Sequence, residues 1–231
     1  MSLILDNVGF RFHPDRPWLV RNAEAEFRIG TMNAVAGPSG SGKSTLLNLI
    51  GHILRPTEGN VMLPPVWVSE AQASIGTRGR LVSQFSWILQ TNTVLGGRTV
   101  LDNAALGLLA QGYSHTSARA AALIALERFG LAERNQSKVA ELSGGELQRI
   151  TIARCLLSPA PILIADEPTG QLDGVNTTSV ALALRETADA GKVVIVATHD
   201  ERVANLCDSV FDLSDSVLAP HKASQKFRDS A

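Results

Sequence analysis

Cysteine is nearly absent from this 231-residue chain, which carries only Cys155 and Cys207. The two lie far apart and in no metal-ligand spacing. That excludes a disulfide framework and a cysteine-built metal site, and it fits a reducing compartment. An excess of charge of one sign is missing too: 21 Lys and Arg against 22 Asp and Glu leave a net charge of -1, so no global positive field draws in nucleic acid or an anionic membrane. Aromatic residues make up only 5%, too few for an obvious base-stacking surface. The longest apolar runs, residues 120–126 and 193–197, fall far short of the ~18 residues that cross a bilayer. The first ten residues lack a basic stretch followed by a long apolar core, so no secretory leader is expected.

What is present is ordinary globular material. A chain that is 45% hydrophobic and 19% charged can bury a sizeable core, and its length fits one large domain or one domain with an insert. Apolar residues alternate from Leu3 to Ile29, as in half-buried strands interrupted by a turn at His13, Pro14 and Asp15. Residues 32–36 read as a short strand and residues 37–42 as a glycine-rich loop. Leu46, Leu47, Leu49, Ile50, Ile53 and Leu54 follow at helical spacing, with Pro56 and Gly59 expected to stop that helix. A further strand is expected over residues 61–68. Residues 91–142, rich in Ala and Leu, predict a helical insert with helices over 104–110 and 118–129. Residues 162–165 and 193–198 are continuous apolar runs of the kind that form parallel strands covered on both faces, separated by a helix over 175–190.

Gly37-Pro38-Ser39-Gly40-Ser41-Gly42-Lys43-Ser44 fits G-x-x-x-x-G-K-[ST] between a strand and a helix, where a phosphate-binding loop must lie. Glycines let backbone N–H groups curl around phosphate oxygens, and the helix start adds its positive dipole end. Lys43 can reach the β and γ phosphates, and Ser44, next to Thr45, can ligate magnesium. A flexible Gly/Ser linker would leave Lys43 and the flanking elements unexplained. A second apolar strand ends in Asp166 and Glu167, which can place Asp166 near the magnesium and Glu167 toward an attacking water, although acidic pairs at strand ends are also common solvated turns.

With these stands Leu142-Ser143-Gly144-Gly145-Glu146, followed by Leu147-Gln148-Arg149. The order of the Lys43 loop, LSGGE, Asp166-Glu167, Gly170-Gln171-Leu172-Asp173 and Thr198-His199-Asp200 resembles ABC ATPases over nearly the whole chain. The stretch Asp166-Glu167-Pro168-Thr169-Gly170-Gln171-Leu172-Asp173 is similar to the form found in lipoprotein-release, macrolide-efflux and cell-division complexes. The fold this implies is α/β: a P-loop NTPase core with a mostly parallel sheet, an N-terminal antiparallel β subdomain and an α-helical insert. Expected boundaries are 1–89 and 157–220 for the core, 90–156 for the helical subdomain and 221–231 for a polar tail.

The resemblance implies ATP and Mg2+ as cofactors, with Glu167, His199 and Gln90 catalytic and Ser44, Gln90 and Asp166 around the metal. It implies that Ser143, Gly144, Gly145 and Glu146 clamp the γ-phosphate held by an opposite subunit, and that Asp173 communicates across that dimer. By itself, Asp173 reads equally well as a helix N-cap. Gln84 rivals Gln90, which the apolar triplet before it favours. Phe12 takes the place of the adenine-stacking aromatic, with Phe10 and Trp18 as alternatives and a core or edge-strand residue as the plain reading. The implied partners are a transmembrane permease and a second ATPase copy or homologue, with the chain cytoplasmic and peripheral on the inner face of the membrane. The insert is the expected docking surface, probed at Thr93, Arg98 and Asn103. A soluble ABC-type ATPase acting on nucleic acid or ribosomes is the alternative. A small-molecule kinase would share the Lys43 loop but has no use for LSGGE.

Overall fold

A computed structural model describes residues 1–65, 67, 84–91 and 93–221 of the chain. The expected tail beyond His221, and residues 66 and 68 of the expected strand after Val61, lie outside these. The elements begin with β1 (Ser2–Phe10), β2 (Val20–Arg28), β3 (Met32–Ala36), α1 (Lys43–Ile50), β4 (Glu58–Met62) and β5 (Phe85–Ile88). Three helices follow, α2 (Val100–Leu109), α3 (His115–Arg128) and α4 (Gly144–Leu156). The chain then forms β6 (Ile162–Asp166), α5 (Gly174–Asp189), β7 (Val193–Ala197), α6 (Glu201–Ala204), β8 (Ser209–Ser214) and β9 (Val217–Pro220).

Among the described residues the strands form one sheet in the order β4-β1-β2-β9-β8-β3-β7-β6-β5. The alternating N-terminal segment makes its antiparallel flank, with Leu3 opposite Phe27 and Leu5 opposite Ala25. The continuous apolar runs make its parallel part, where β8, β3, β7, β6 and β5 all point the same way. Strand periodicity then divides the core in two: Ile162, Ile164, Val193 and Ile195 face the layer holding Phe27, Leu46 and Ile50. Leu163, Ala165, Val194 and Val196 face the layer holding Leu101, Leu126, Ile150 and Leu184. Burial on both faces is why those strands carry no polar alternation.

Local chemistry sets the helix starts. Thr99 caps α2 by accepting from Asp102 N, and Ser114 caps α3 by accepting from Ser117 N. Helix α1 is shorter than the periodicity predicts, ending at Ile50 rather than continuing to Leu54. A side chain at Gly51 would lie 2.0 Å from the Trp87 ring, so the chain turns there, and Ile53 and Leu54 both donate to Asn48 O. The strand expected over 61–68 begins earlier and is over by Met62, before Pro64 and Pro65, which lack the N–H a ladder needs. His221, counted with the tail by sequence, is tied to β8: its N–H donates to Val210 O and its Nδ1 pairs with Asp212 at 2.5 Å. Asn103, expected to face a partner, is fully buried. Its side chain bonds Leu95 N, Leu95 O and Thr99 O, and so organises the loop leading into α2.

Candidate functional site

Parallel strands end on the same side of a sheet, so the loops after β3, β5, β6 and β7 converge at one edge. There a cleft of about 260 Å³ is lined by Ser39, Gly40, Gly42, Lys43, Ser44, Thr45, Gln90, Asp166, Glu167 and Leu19. A hollow of about 540 Å³ on the outer face of the antiparallel flank is larger but is lined by Asp6, Glu24 and Glu26 with no cationic side chain. The chemistry lies in the smaller one.

The loop between β3 and α1 is shaped by backbone contact. A Cβ on Gly37 would meet Leu213 O at 2.4 Å and one on Gly42 would meet Leu19 O at 2.9 Å. Both have positive φ, 150° and 101°. Gly42 caps α1 with no side-chain hydrogen bond, and the first turn of the helix contains no acid. The first intrahelical bond is donated by Leu46 to Gly42. The first-turn residues Lys43, Ser44 and Thr45 line the cleft, and a helix start without a side-chain cap favours an anion. The Oγ of Ser41 is buried without a partner. Lys43 Nζ folds back onto its own loop, donating to Gly37 O at 2.9 Å and Pro38 O at 3.2 Å. A phosphate would offer those donors a stronger, charged acceptor.

Glu167 follows β6 with φ 48°, a left-handed conformation rare for a residue of its kind. That costs about 1–2 kcal/mol, and its peptide groups are pinned on both sides: its N–H donates to Ala197 O and its C=O accepts from Gly170 N. The carboxylate lies 2.9 Å from His199 Nδ1 and 3.8 Å from Lys43 Nζ. His199 is three-quarters exposed at the side chain, whereas Glu167 is 14% exposed. An acceptor is thus held between an imidazole and an ammonium at the mouth of the cleft. Gln90 is exposed and lines the cleft. Gln84 lies at the other end of β5, where its C=O accepts from Ile162 N, so the parallel register separates it from Asp166. Phe12 lies beyond the end of β1 and is 71% exposed, its ring edge-on to Phe10 at 5.1 Å. That removes the core and edge-strand reading. Phe10 is buried, and Trp18 is covered by Arg11 at 4.5 Å.

The LSGGE segment does not line this cleft. Ser143 caps α4 in a closed box: its N–H and Oγ–H both donate to Glu146 Oε2 at 2.8 Å, while Glu146 N donates back to Ser143 Oγ. The Ser143 N–H, then its hydroxyl, hold the Glu146 carboxyl below its ordinary value of 4.5. Asp173 caps α5 by accepting from Asn176 N at 2.9 Å, and its carboxyl is lowered by that bond first. Its plain reading as a cap therefore holds in this chain. Gln148, quoted from the sequence only as part of the run after LSGGE, is 1% exposed and donates from Nε2 to Pro168 O at 2.9 Å.

These groups fit a nucleoside triphosphate: a glycine cradle that a Cβ would fill, an uncapped helix start, an unpaired Ser41 hydroxyl and a lysine. Among the described residues no group of three His, Cys, Asp or Glu could hold a metal unaided. Ser44, Asp166 and Gln90 in one cleft suit magnesium arriving on phosphates, which needs only one or two protein oxygens.

Comparison with known proteins gives the same answer. The family model described as ABC transporter matches residues 20–170. The macrolide export ATP-binding/permease protein MacB of Agrobacterium fabrum is 35% identical over 204 residues, covering 87% of this chain and 31% of that protein. An uncharacterized ABC transporter ATP-binding protein of Mycobacterium tuberculosis is 35% identical over 195 residues, 84% of this chain and 59% of that one. The chain thus spans under two thirds of these relatives, and about a third of MacB. Among solved structures, the ATP-binding cassette MJ0796, a dimer in a post-hydrolysis state bound to ADP and Pi, superposes with TM-score 0.79 at 28% identity over 94% of this chain and 96% of that one. The chain belongs to the ABC transporter family and is an ATP-binding, ATPase cassette of that family.

Proposed function

We propose that this chain powers a membrane transporter by binding and hydrolysing ATP, with export favoured by its likeness to macrolide-export proteins. The observation that carries the reading is the convergence of Lys43, Ser44, Gln90, Asp166 and Glu167 on one cleft, with His199 against Glu167. The Gly37–Ser44 loop and Thr45 seat the phosphates, and Lys43 exchanges its loop carbonyls for the β and γ oxygens. Ser44, Asp166 and Gln90 hold magnesium, which when bound neutralises the charge developing on the phosphates. Glu167 accepts the proton of the attacking water, and His199 holds the Glu167 carboxylate and the γ-phosphate in line. Phe12, exposed and free of the core, stacks on the base.

The second half of the site comes from a second copy or a homologue, whose Ser143, Gly144, Gly145 and Glu146 cover the γ-phosphate, with Asp173 at the junction. A permease carries the span; among the described residues of this chain no helix is long and apolar enough to cross a membrane. The chain works at the inner face of the membrane, docked through its insert. Leu95, Tyr113 and Ile124 expose 48%, 48% and 71% of their surface there, and Thr93 and Arg98 are exposed.

The test is magnesium-dependent ATP hydrolysis by the purified chain and by Glu167→Gln. The variant should bind ATP and lose at least about 100-fold in kcat. Turnover at the wild-type rate would remove Glu167 from its role. Cysteines at Thr93 and Arg98 should crosslink to a membrane protein, and capture from α5 alone would relocate the docking surface.

A further inference from the structure

Gln148 is buried in α4, yet its amide is only half satisfied: Nε2 donates to Pro168 O at 2.9 Å while Oε1 is buried with no partner. Flipping the amide would set two acceptors face to face, so the Pro168 carbonyl fixes its orientation. As packing alone this side chain is a poor choice, because an apolar residue of the same length would fill the space without stranding an acceptor. What the amide does achieve is to grip the residue immediately after Glu167.

That grip falls where the backbone is under strain. Glu167 has φ 48°, its N–H is tied to Ala197 O and its C=O to Gly170 N. The bond from Gln148 to Pro168 O ties the next peptide, so consecutive backbone groups are anchored on β7, on the following turn and on α4. A left-handed residue persists only when its surroundings over-determine it, and the direction of its side chain follows its backbone. We propose that Gln148 is a positioning residue: by holding the Pro168 carbonyl from α4, it keeps the Glu167 carboxylate aimed into the cleft beside His199. This rests on the reading of Glu167 as the base for the attacking water. The helix that Gln148 belongs to starts at Ser143, so the element expected to meet the second copy's nucleotide also steadies this copy's own Glu167.

The experiment measures steady-state kcat and KM for ATP, and single-turnover hydrolysis, in the wild type, Gln148→Met, Glu167→Gln and the double variant. Gln148→Met keeps the length and removes both the bond and the stranded acceptor. Its thermal midpoint should therefore be little changed, while kcat falls about 10-fold with KM for ATP within about twofold, as misplacement of a reacting group predicts. In the Glu167→Gln background the same substitution should cost nothing further, because its effect runs through that carboxylate. Gln148→Leu, which likewise removes the bond and the stranded acceptor without burying a charge, should lose as much and is the variant to read if Gln148→Met does not fold. Wild-type kcat in Gln148→Met, a KM rise that accounts for the loss, or a full additional loss in the double variant would overturn the proposal while leaving the role of Glu167 standing. Wild-type kcat in Glu167→Gln would overturn both.

Discussion

Two helices in this chain begin with glycine-rich sequences, and their first turns are finished in opposite ways. Helix α1 starts from Gly42 with no side-chain cap and no acid in its first turn, next to a lysine that bonds its own loop's carbonyls and lies 3.8 Å from the Glu167 carboxylate. Helix α4 starts from Ser143 in a closed capping box with Glu146. Both starts carry the same partial positive charge. The difference is that α4 already holds an anion of its own, and α1 does not. An open start is free to take an anion from solution, whereas a closed one is already satisfied by its own carboxylate. This asymmetry goes with the finding that, among the described residues, the Lys43 loop lines the cleft and the Ser143 segment does not.

The comparison breaks most severely at Lys43. Lys43→Ala removes the charge from the open start and should lower kcat/KM for ATP by about 10³-fold, measured by phosphate release. A drop below tenfold would mean that the backbone cradle alone does the work. Gly42→Ala comes next, because its Cβ would lie 2.9 Å from Leu19 O at φ 101°. It should destabilise the fold by about 2 kcal/mol and weaken nucleotide binding, whereas Gly40→Ala, with open space around it, should cost about 1 kcal/mol. Thermal melts of the two separate crowding from conformation. Ser143→Ala opens the capping box and should cost about 1 kcal/mol, a fall in melting temperature of about 2–4 °C for a domain of this size.

The smallest effect is in pH. The Glu146 carboxyl is lowered below 4.5 by the Ser143 N–H and hydroxyl, so the stability it adds is fully present above its unfolded pKa. That stability is lost as pH falls through the lowered folded value. Wild type and Glu146→Gln should therefore melt furthest apart near neutral pH and converge only once pH has fallen through the lowered folded value. A gap that persists in acid would mean that the box is held by shape rather than charge.

Strand content of the parallel core was readable because burial on both faces leaves continuous apolar runs, as in Ile162–Asp166 and Val193–Ala197. The Lys43 loop was readable because its residues act locally on their own backbone. What escaped depends on specific packing and hydrogen-bond partners that hydrophobic periodicity does not report. The early end of α1 is imposed by Trp87 against Gly51, and the burial of Asn103 by the carbonyls of Leu95 and Thr99. His221 is held by Val210 and Asp212. Gln148 gave only a faint signal, a glutamine between Leu147 and Ile150 on a helix face that turns out to be buried; nothing in the sequence says that its partner is the peptide after Glu167.

The central claim is that the closed start of one copy opens onto the nucleotide held by the open start of another. Sedimentation velocity of Glu167→Gln with and without magnesium and ATP tests it most directly, since this variant should load nucleotide and stop before hydrolysis. A monomer alone and a dimer with ATP are expected, with a return to monomer when Ser143→Glu adds a carboxylate at the closed start. A dimer that ignores ATP, or one that forms equally well with Ser143→Glu, would contradict it.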